Sequence, residues 1–296
     1  MNGIICVNKQ RDITSFGVCA KLRGILGEKK VGHMGTLDPM AEGVLPVMLG
    51  GATRFLNYLP ESDKGYRASF ILGKTTDTLD ITGNVTAEYA VHVSETDVLK
   101  ALDSFRGRIM QMPPMYSAVS VNGKRLYELA RQGIEVERKE REIEIKKLEL
   151  VEASNDGYVL DIFCSKGTYI RSLIDDIGKK LGCGAVMTAL VRTSAMGYSL
   201  ESCITLDELQ QRKDKGIGFD DVLLPLDQAL SAYDKITVSP AQSVRFKNGG
   251  VLDLDRIKRQ LCNEEIYRVY NPDGQFLGLG QAVNKELIIK RIYTEK

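Results

Sequence analysis

Metal ligands are scarce in this chain. It carries two histidines, His33 and His92, and six cysteines with no CxxC pair and no HExxH, so a zinc site has little to be built from. Cys6, Cys19, Cys164, Cys183, Cys203 and Cys262 are scattered along the chain. They read as reduced, mostly buried residues of a cytosolic protein and not as a disulfide framework. Excess charge is missing too: 40 Lys and Arg against 39 Asp and Glu leave a net +1. Any affinity for nucleic acid must therefore come from local patches. No apolar run approaches a membrane-spanning length, and the opening MNGIICVNKQ is too short for a signal peptide. Walker loop, GxSxG and a GxGxxG following a strand are absent, which removes phosphate-loop and serine-hydrolase chemistry. Cys164 and Cys183 lack an obvious histidine partner, so packing is the simpler role for both.

What is there is an ordinary globular composition, 43% hydrophobic over 296 residues, long enough for a large domain and a smaller one. GIICV (3–7) reads as a short buried strand, and Thr14 or Ser15 caps a helix with Phe16, Cys19, Leu22 and Leu26 at helical spacing, stopped by Gly27. ATRFLNYLP is a short helix halted by Pro60, and YRASFIL (66–72) a strand. Ser94 opens a helix with Val98, Leu99, Leu102 and Phe105 on one face and Asp97 placed for a capping interaction. MPPMYSAVSVNGKRLYELARQG, with two prolines, an NG turn and a short basic helix, projects from the fold. Residues 124–147 hold eight Lys or Arg against six acids, so charge alone fits a solvated hairpin as well as an RNA-gripping arm. REIEIKKLEL and YVLDIFC are strands, TYIRSLIDDIGKKL (168–181) is an amphipathic helix ended by Gly182, and 183–193 returns to strand. From about Tyr233 a helix starting at Pro240, a hairpin around a DG turn and a last strand, ELIIKRIY, make a small β-rich unit.

Carboxylate chemistry is left. VGHMGTLDPMAEGVLPV (31–47) holds three glycines and two prolines and reads as a long loop that Val44–Leu49 leaves as a strand, the kind of segment that presents functional side chains. Asp38 stands in it directly before Pro39. Taken alone, Asp-Pro is a turn dipeptide; an ionised Asp can also attack a sugar C1 carbon or act as a base. A glycosidase would want a second carboxylate, and Asp77, Asp80, Asp175 and Asp176 are available. Arg171 falls in the first turn of its helix, where a cation gains nothing from the helix dipole, so it either covers apolar surface or has a specific anionic partner.

The 31–47 stretch resembles the GHxGTLDPxAxGVLP motif of the TruB-type tRNA pseudouridine synthases. KGYRASFILGKTTDTLDITG is similar to that family's tyrosine motif, MPPMYSAVSVNGKRLYELAR to its inserted thumb, and CSKGTYIRSLIDDIGKKLGCGA to its arginine motif. The four occur in the family's order, and with their flanks they cover nearly all of the first 200 residues. The resemblance implies an α+β pseudouridine-synthase fold: a mixed, largely antiparallel central sheet flanked by helices and loops. Residues 1–232 would form the catalytic domain with its thumb at about 112–140, and 233–296 a small, barrel-like PUA domain that binds RNA.

The implied reaction is isomerisation of uridine 55 in the T loop of tRNA, by flipping the base, cleaving its glycosidic bond and reattaching it through C5. Asp38 would be the catalytic carboxylate and Arg171 its ion-pair partner. Tyr66 would stack on the uracil and is a candidate to remove the C5 proton. Tyr169 and Leu190 would enclose the flipped base, and His33 would fill the gap it leaves in the T-loop stack. The isomerisation conserves every atom, so it implies no cofactor and no metal; the protein would be a cytoplasmic monomer with the T-stem-loop of tRNA as its partner and no membrane association. Lys9–Ser15 departs from the family's KPxGxTS by lacking the proline and the glycine. Ser120 stands where a lysine is common and Val186 where a histidine is common. Two other readings compete: a non-catalytic tRNA-binding or tRNA-folding protein on the same fold, which would not need the Asp38, Tyr66 and Arg171 set, and an enzyme of free nucleosides or sugars, which would not need the thumb or the C-terminal unit.

Overall fold

The computed structural model describes residues 1–60, 62–121, 123–257 and 259–294. A nine-stranded sheet runs through it. Its main path is Gly3–Lys9, Glu42–Leu49, Ala185–Ala195, Lys64–Leu72, Gly157–Cys164, Arg141–Ser154 and Gly107–Gln111. Only the contact of Ala185–Ala195 with Glu42–Leu49 is parallel; the other pairings are antiparallel, so the sheet is mixed and largely antiparallel.

The first strand is buried on both faces, and its period of two divides its side chains between two cores. Ile5 and Val7 face the main core under helices α1 (Ser15–Leu26), α2 (Glu95–Asp103) and α4 (Ile170–Leu181). Ile4 and Cys6 face a second cluster with Met48, Phe55, Leu226 and Leu279. A second sheet of five strands spans Asp234–Ile292. It docks on that back face, where Phe55 packs against Phe276 and Tyr293 with ring centroids 5.9 and 6.1 Å apart.

Most local expectations hold. Thr14 caps α1, its Oγ1 accepting from the Gly17 N–H, and Gly27 ends it in the left-handed region at φ 64°. Ser94 and Asp97 form a reciprocal capping box. The helix expected from Pro240 forms as Pro240–Lys247, with Ser239 as its cap, and the hairpin of Ile266–Tyr270 with Phe276–Val283 forms as expected.

Three readings need correction. Stretch 31–47 holds less loop than expected: the strand leaving it starts at Glu42 and not at Val44, and Val31–His33 is a further strand, leaving 34–41 irregular. Pro46 is tolerated because its carbonyl still accepts from Met34 N, and Pro has no N–H to waste. Phe16 is 65% exposed, because the buried stripe of α1 runs through Val18, Cys19, Leu22 and Ile25 and Phe16 lies off it. Leu99 is likewise exposed, since α2 turns Val98, Ala101 and Leu102 inward. In the thumb, Ser120–Val121 pairs with Lys124–Arg125, followed by the five-residue helix α3 (Leu126–Ala130). The NG turn falls partly on Asn122, outside the described residues.

Candidate active site

The loop 34–41 is held from below before its carboxylate does anything. Met34, Leu37, Met40 and Ala41 are buried in it. The Ser15 hydroxyl both donates to Leu37 O (3.0 Å) and accepts from Leu37 N (2.8 Å). Lys9 is wholly buried, and its ammonium donates to Gln10 O, Ile13 O and Pro39 O at 2.8, 2.8 and 3.1 Å. Asp12 N also donates to Pro39 O, at 2.9 Å. Asp12 takes the left-handed conformation, φ 63°, where the family's motif has its glycine; Asp is one of the few side chains that adopt it at modest cost. The missing proline and glycine thus leave the segment in place. Arg192, buried and without a carboxylate partner among the described residues, donates to Val44 O, Thr36 O and Gly35 O at 2.7, 3.2 and 3.3 Å.

On this platform Asp38 meets Arg171. Arg171 Nε lies 2.9 Å from Asp38 Oδ2, with the arginine side chain 5% exposed and the aspartate 37%. The N–H is not aimed along a hydrogen-bond line, so the contact is a close charge pair. Geometry for the guanidinium comes from its other arms: Nη1 donates to Thr78 O and Nη2 to Tyr116 O, each at 2.8 Å. Asp80, 3.8 Å from Nε, adds a second negative charge. It is itself fixed by Thr78 Oγ1, Thr82 N and Thr82 Oγ1. The start of α4 is tied to the root of the thumb by Gln111, which exchanges two hydrogen bonds with the Tyr169 peptide, and by Ser172, which donates to Met112 O.

One pocket of about 220 Å³ gathers these parts, lined among others by Asp38, Lys64, Tyr66, Tyr169, Arg171 and Leu190. Tyr66 is buried, and that burial pushes its hydroxyl up to about 12 against the opposing pull of the nearby Arg192 charge. The phenol is therefore neutral at pH 7. The Arg141 guanidinium covers the Tyr169 ring at 4.8 Å. Of the six residues singled out in the sequence, five line the pocket. His33 does not: it sits half-buried on the short strand Val31–His33, with Nδ1 unbonded among the described residues and its proton affinity lowered by burial.

Sequence reasoning missed Lys9, Ser15, Gln111 and Arg192. Lys9 and Ser15 frame the motif segment 9–15, a signal that could have found them; nothing local marks Gln111 or Arg192, whose roles exist only once distant strands are brought together. Asp80 was visible only as one spare carboxylate of four. Among the described residues no group of three or more His, Cys, Asp or Glu could hold a metal ion, and no helix is long and apolar enough to cross a membrane.

Comparison with known proteins agrees with this geometry. The profile of the TruB family pseudouridylate synthase N-terminal domain matches residues 23–170, and that of the tRNA pseudouridylate synthase B C-terminal domain matches 171–231. tRNA pseudouridine synthase B of Clostridium perfringens (strain 13 / Type A) is 43% identical over 299 residues, covering 100% of both chains. That of Bacillus pumilus (strain SAFR-032) is 41% identical over 286 residues, 94% of this chain and 92% of its own. The crystal structure of a Cbf5-Nop10-Gar1 complex contains a chain that superposes with a TM-score of 0.75 at 26% identity, covering 99% of this chain and 85% of that one. These likenesses place the protein among the pseudouridine synthases, isomerases that act on RNA. Within them the chain belongs to the TruB family, and its reaction is pseudouridine synthesis in tRNA.

Proposed function

We propose that this protein converts uridine 55 of the tRNA T loop to pseudouridine, with Asp38 as the catalytic carboxylate. The observation that carries the proposal is the Asp38–Arg171 pair, 2.9 Å apart, at a small pocket whose other walls include Tyr66, Tyr169 and Leu190. A uridine in a folded loop reaches such a pocket only by leaving its stack, at a cost of a few kcal/mol. Asp38 then faces the ribose or the base, held by Arg171. The C1′–N1 bond breaks, the uracil turns, C5 bonds to C1′, and the C5 proton is lost while N1 gains one. The composition of the nucleotide is unchanged, so no cofactor has a part.

Tyr66 supplies the face on which the uracil stacks; its neutral phenol suits that role better than that of a ready base. Tyr169 and Leu190 close the pocket, and His33, outside it, fills the T-loop gap. Residues 1–232 act as the catalytic domain and 233–296 as a PUA-like domain gripping RNA by shape and phosphate contacts. The protein works as a cytoplasmic monomer. A protein that only bound or folded tRNA would have no use for a buried arginine aimed by two carbonyls at an aspartate.

The test is tritium release from tRNA carrying C5-tritiated uridine. Release is expected when uridine occupies position 55 and is lost when that position is cytidine; equal release from both would refute the assignment.

A further inference from the structure

The pocket has a second charged wall that the reaction as described leaves unused. Lys64 opens the strand Lys64–Leu72 and lines the pocket. Its ammonium lies over Gly35, where a Cβ would stand 3.5 Å from Lys64 Nζ and 3.8 Å from Arg192 Nη1. Arg192 is fully buried and bonds three carbonyls. Neither cation has a carboxylate within ion-pair distance among the described residues. Burial and Arg192 both weaken the hold of Lys64 on its proton. A fully buried cation with a half-buried one beside it, and no carboxylate on either among the described residues, is costly. A fold keeps such a cost where an anion is to arrive.

On the reading that a flipped uridine is cleaved here, the anion has a source. When C1′–N1 breaks, the bonding pair stays with N1, and the detached uracil carries one negative charge spread over N1, O2 and O4. Asp38 and Arg171 already pair with each other. Lys64 is two residues before Tyr66 on one strand, so the two side chains share a face about 7 Å apart. A ring stacked on Tyr66 presents an edge to Lys64.

We propose that Lys64, backed by Arg192, is the cationic seat of the uracil anion between glycosidic cleavage and reattachment through C5. The negative charge it meets is that of the base, and the phosphate of the same nucleotide is the competing source. A donor fixed in advance where charge develops acts on the transition state more than on binding.

Single-turnover tritium release and RNA affinity of Lys64→Met, Lys64→Gln and Lys64→Arg decide the matter. At saturating T-stem-loop RNA, Lys64→Met and Lys64→Gln are expected to react at least about 100-fold slower than wild type, with Kd within about threefold, and Lys64→Arg to recover most of the rate. Because a half-buried charge facing Arg192 is removed, Lys64→Met should melt no lower than wild type, which separates lost chemistry from lost folding. Rates within about threefold of wild type at saturation overturn the proposal. So does a Kd raised about tenfold or more with the salt slope flattened by about 0.7–0.9, which assigns Lys64 to a phosphate. A wild-type enzyme inert on this RNA would instead overturn the T-loop reading on which the uracil seat rests.

Discussion

Arg171→Lys keeps the charge beside Asp38 and removes the geometry. In the wild type, Nη1 and Nη2 are each held at 2.8 Å by Thr78 O and Tyr116 O, which leaves Nε beside Asp38. An ammonium on a flexible stem cannot reach Asp38, a loop carbonyl and a thumb-root carbonyl together. If it keeps Asp38, two charge-assisted hydrogen bonds are lost, each worth about 1.5–3 kcal/mol. Water entering the gap restores part of this, leaving about 3–4 kcal/mol. Most of that loss should fall on the chemical step, because what disappears is the fixed direction of the Asp38 carboxylate. The expected result is a single-turnover rate about 10²–10³-fold below wild type at saturating RNA. A smaller loss of RNA affinity should accompany it, since Tyr116 belongs to the thumb. Tritium release measured alongside filter binding and thermal unfolding reads all three. A variant within threefold of wild type in rate, with an unchanged melting temperature, would refute the view that the two carbonyls aim the arginine.

Other outcomes follow from the platform beneath the site. Asp12→Gly should leave activity intact and stabilise by up to about 1 kcal/mol, because glycine relieves the left-handed φ of 63° while adding freedom to the unfolded chain; Asp12→Val, which cannot take that φ cheaply, should destabilise by about 2 kcal/mol, and thermal unfolding in the opposite order would contradict this. Burial brings the Lys9 ammonium down to about 8 from 10.5. Between those values the unfolded chain holds a proton that the folded chain has released, so wild-type stability relative to Lys9→Met should rise with pH, by at most about 1.4 kcal/mol per unit. Denaturant unfolding at about pH 7.5 and about pH 9.5 checks the sign, and a falling difference refutes it. Phe55→Ala should cost about 3–5 kcal/mol by opening the aromatic seam with Phe276 and Tyr293.

Local rules made much of the fold legible. Thr14, Ser94, Ser239 and Gly27 mark helix ends through bonds within a few residues, so they can be read from the chain alone. Phe16 and Leu99 were placed inward because helical spacing admits more than one buried stripe, and tertiary packing selects among them. The loop around Asp38 was read as longer than it is because glycine breaks a strand only until a neighbour supplies partners, as Glu42–Leu49 does for Val31–His33 and Lys9 does for Gly43. At the site, Asp38 before Pro39 looked like a turn, and it is one: Ala41 N donates to Asp38 O. The same turn presents the carboxylate to Arg171. What a sequence does not display is convergence. Arg192 braces a loop some 150 positions earlier, and Gln111 ties a strand to a helix start 58 residues away.

The central claim is that Asp38 performs the chemistry on a base the rest of the pocket binds. Asp38→Asn keeps the size and the turn and removes the charge. Tritium release from C5-labelled T-stem-loop RNA by Asp38→Asn should be undetectable while RNA affinity stays within about tenfold of wild type, or about 1.4 kcal/mol; release near the wild-type rate would show that the carboxylate lies elsewhere.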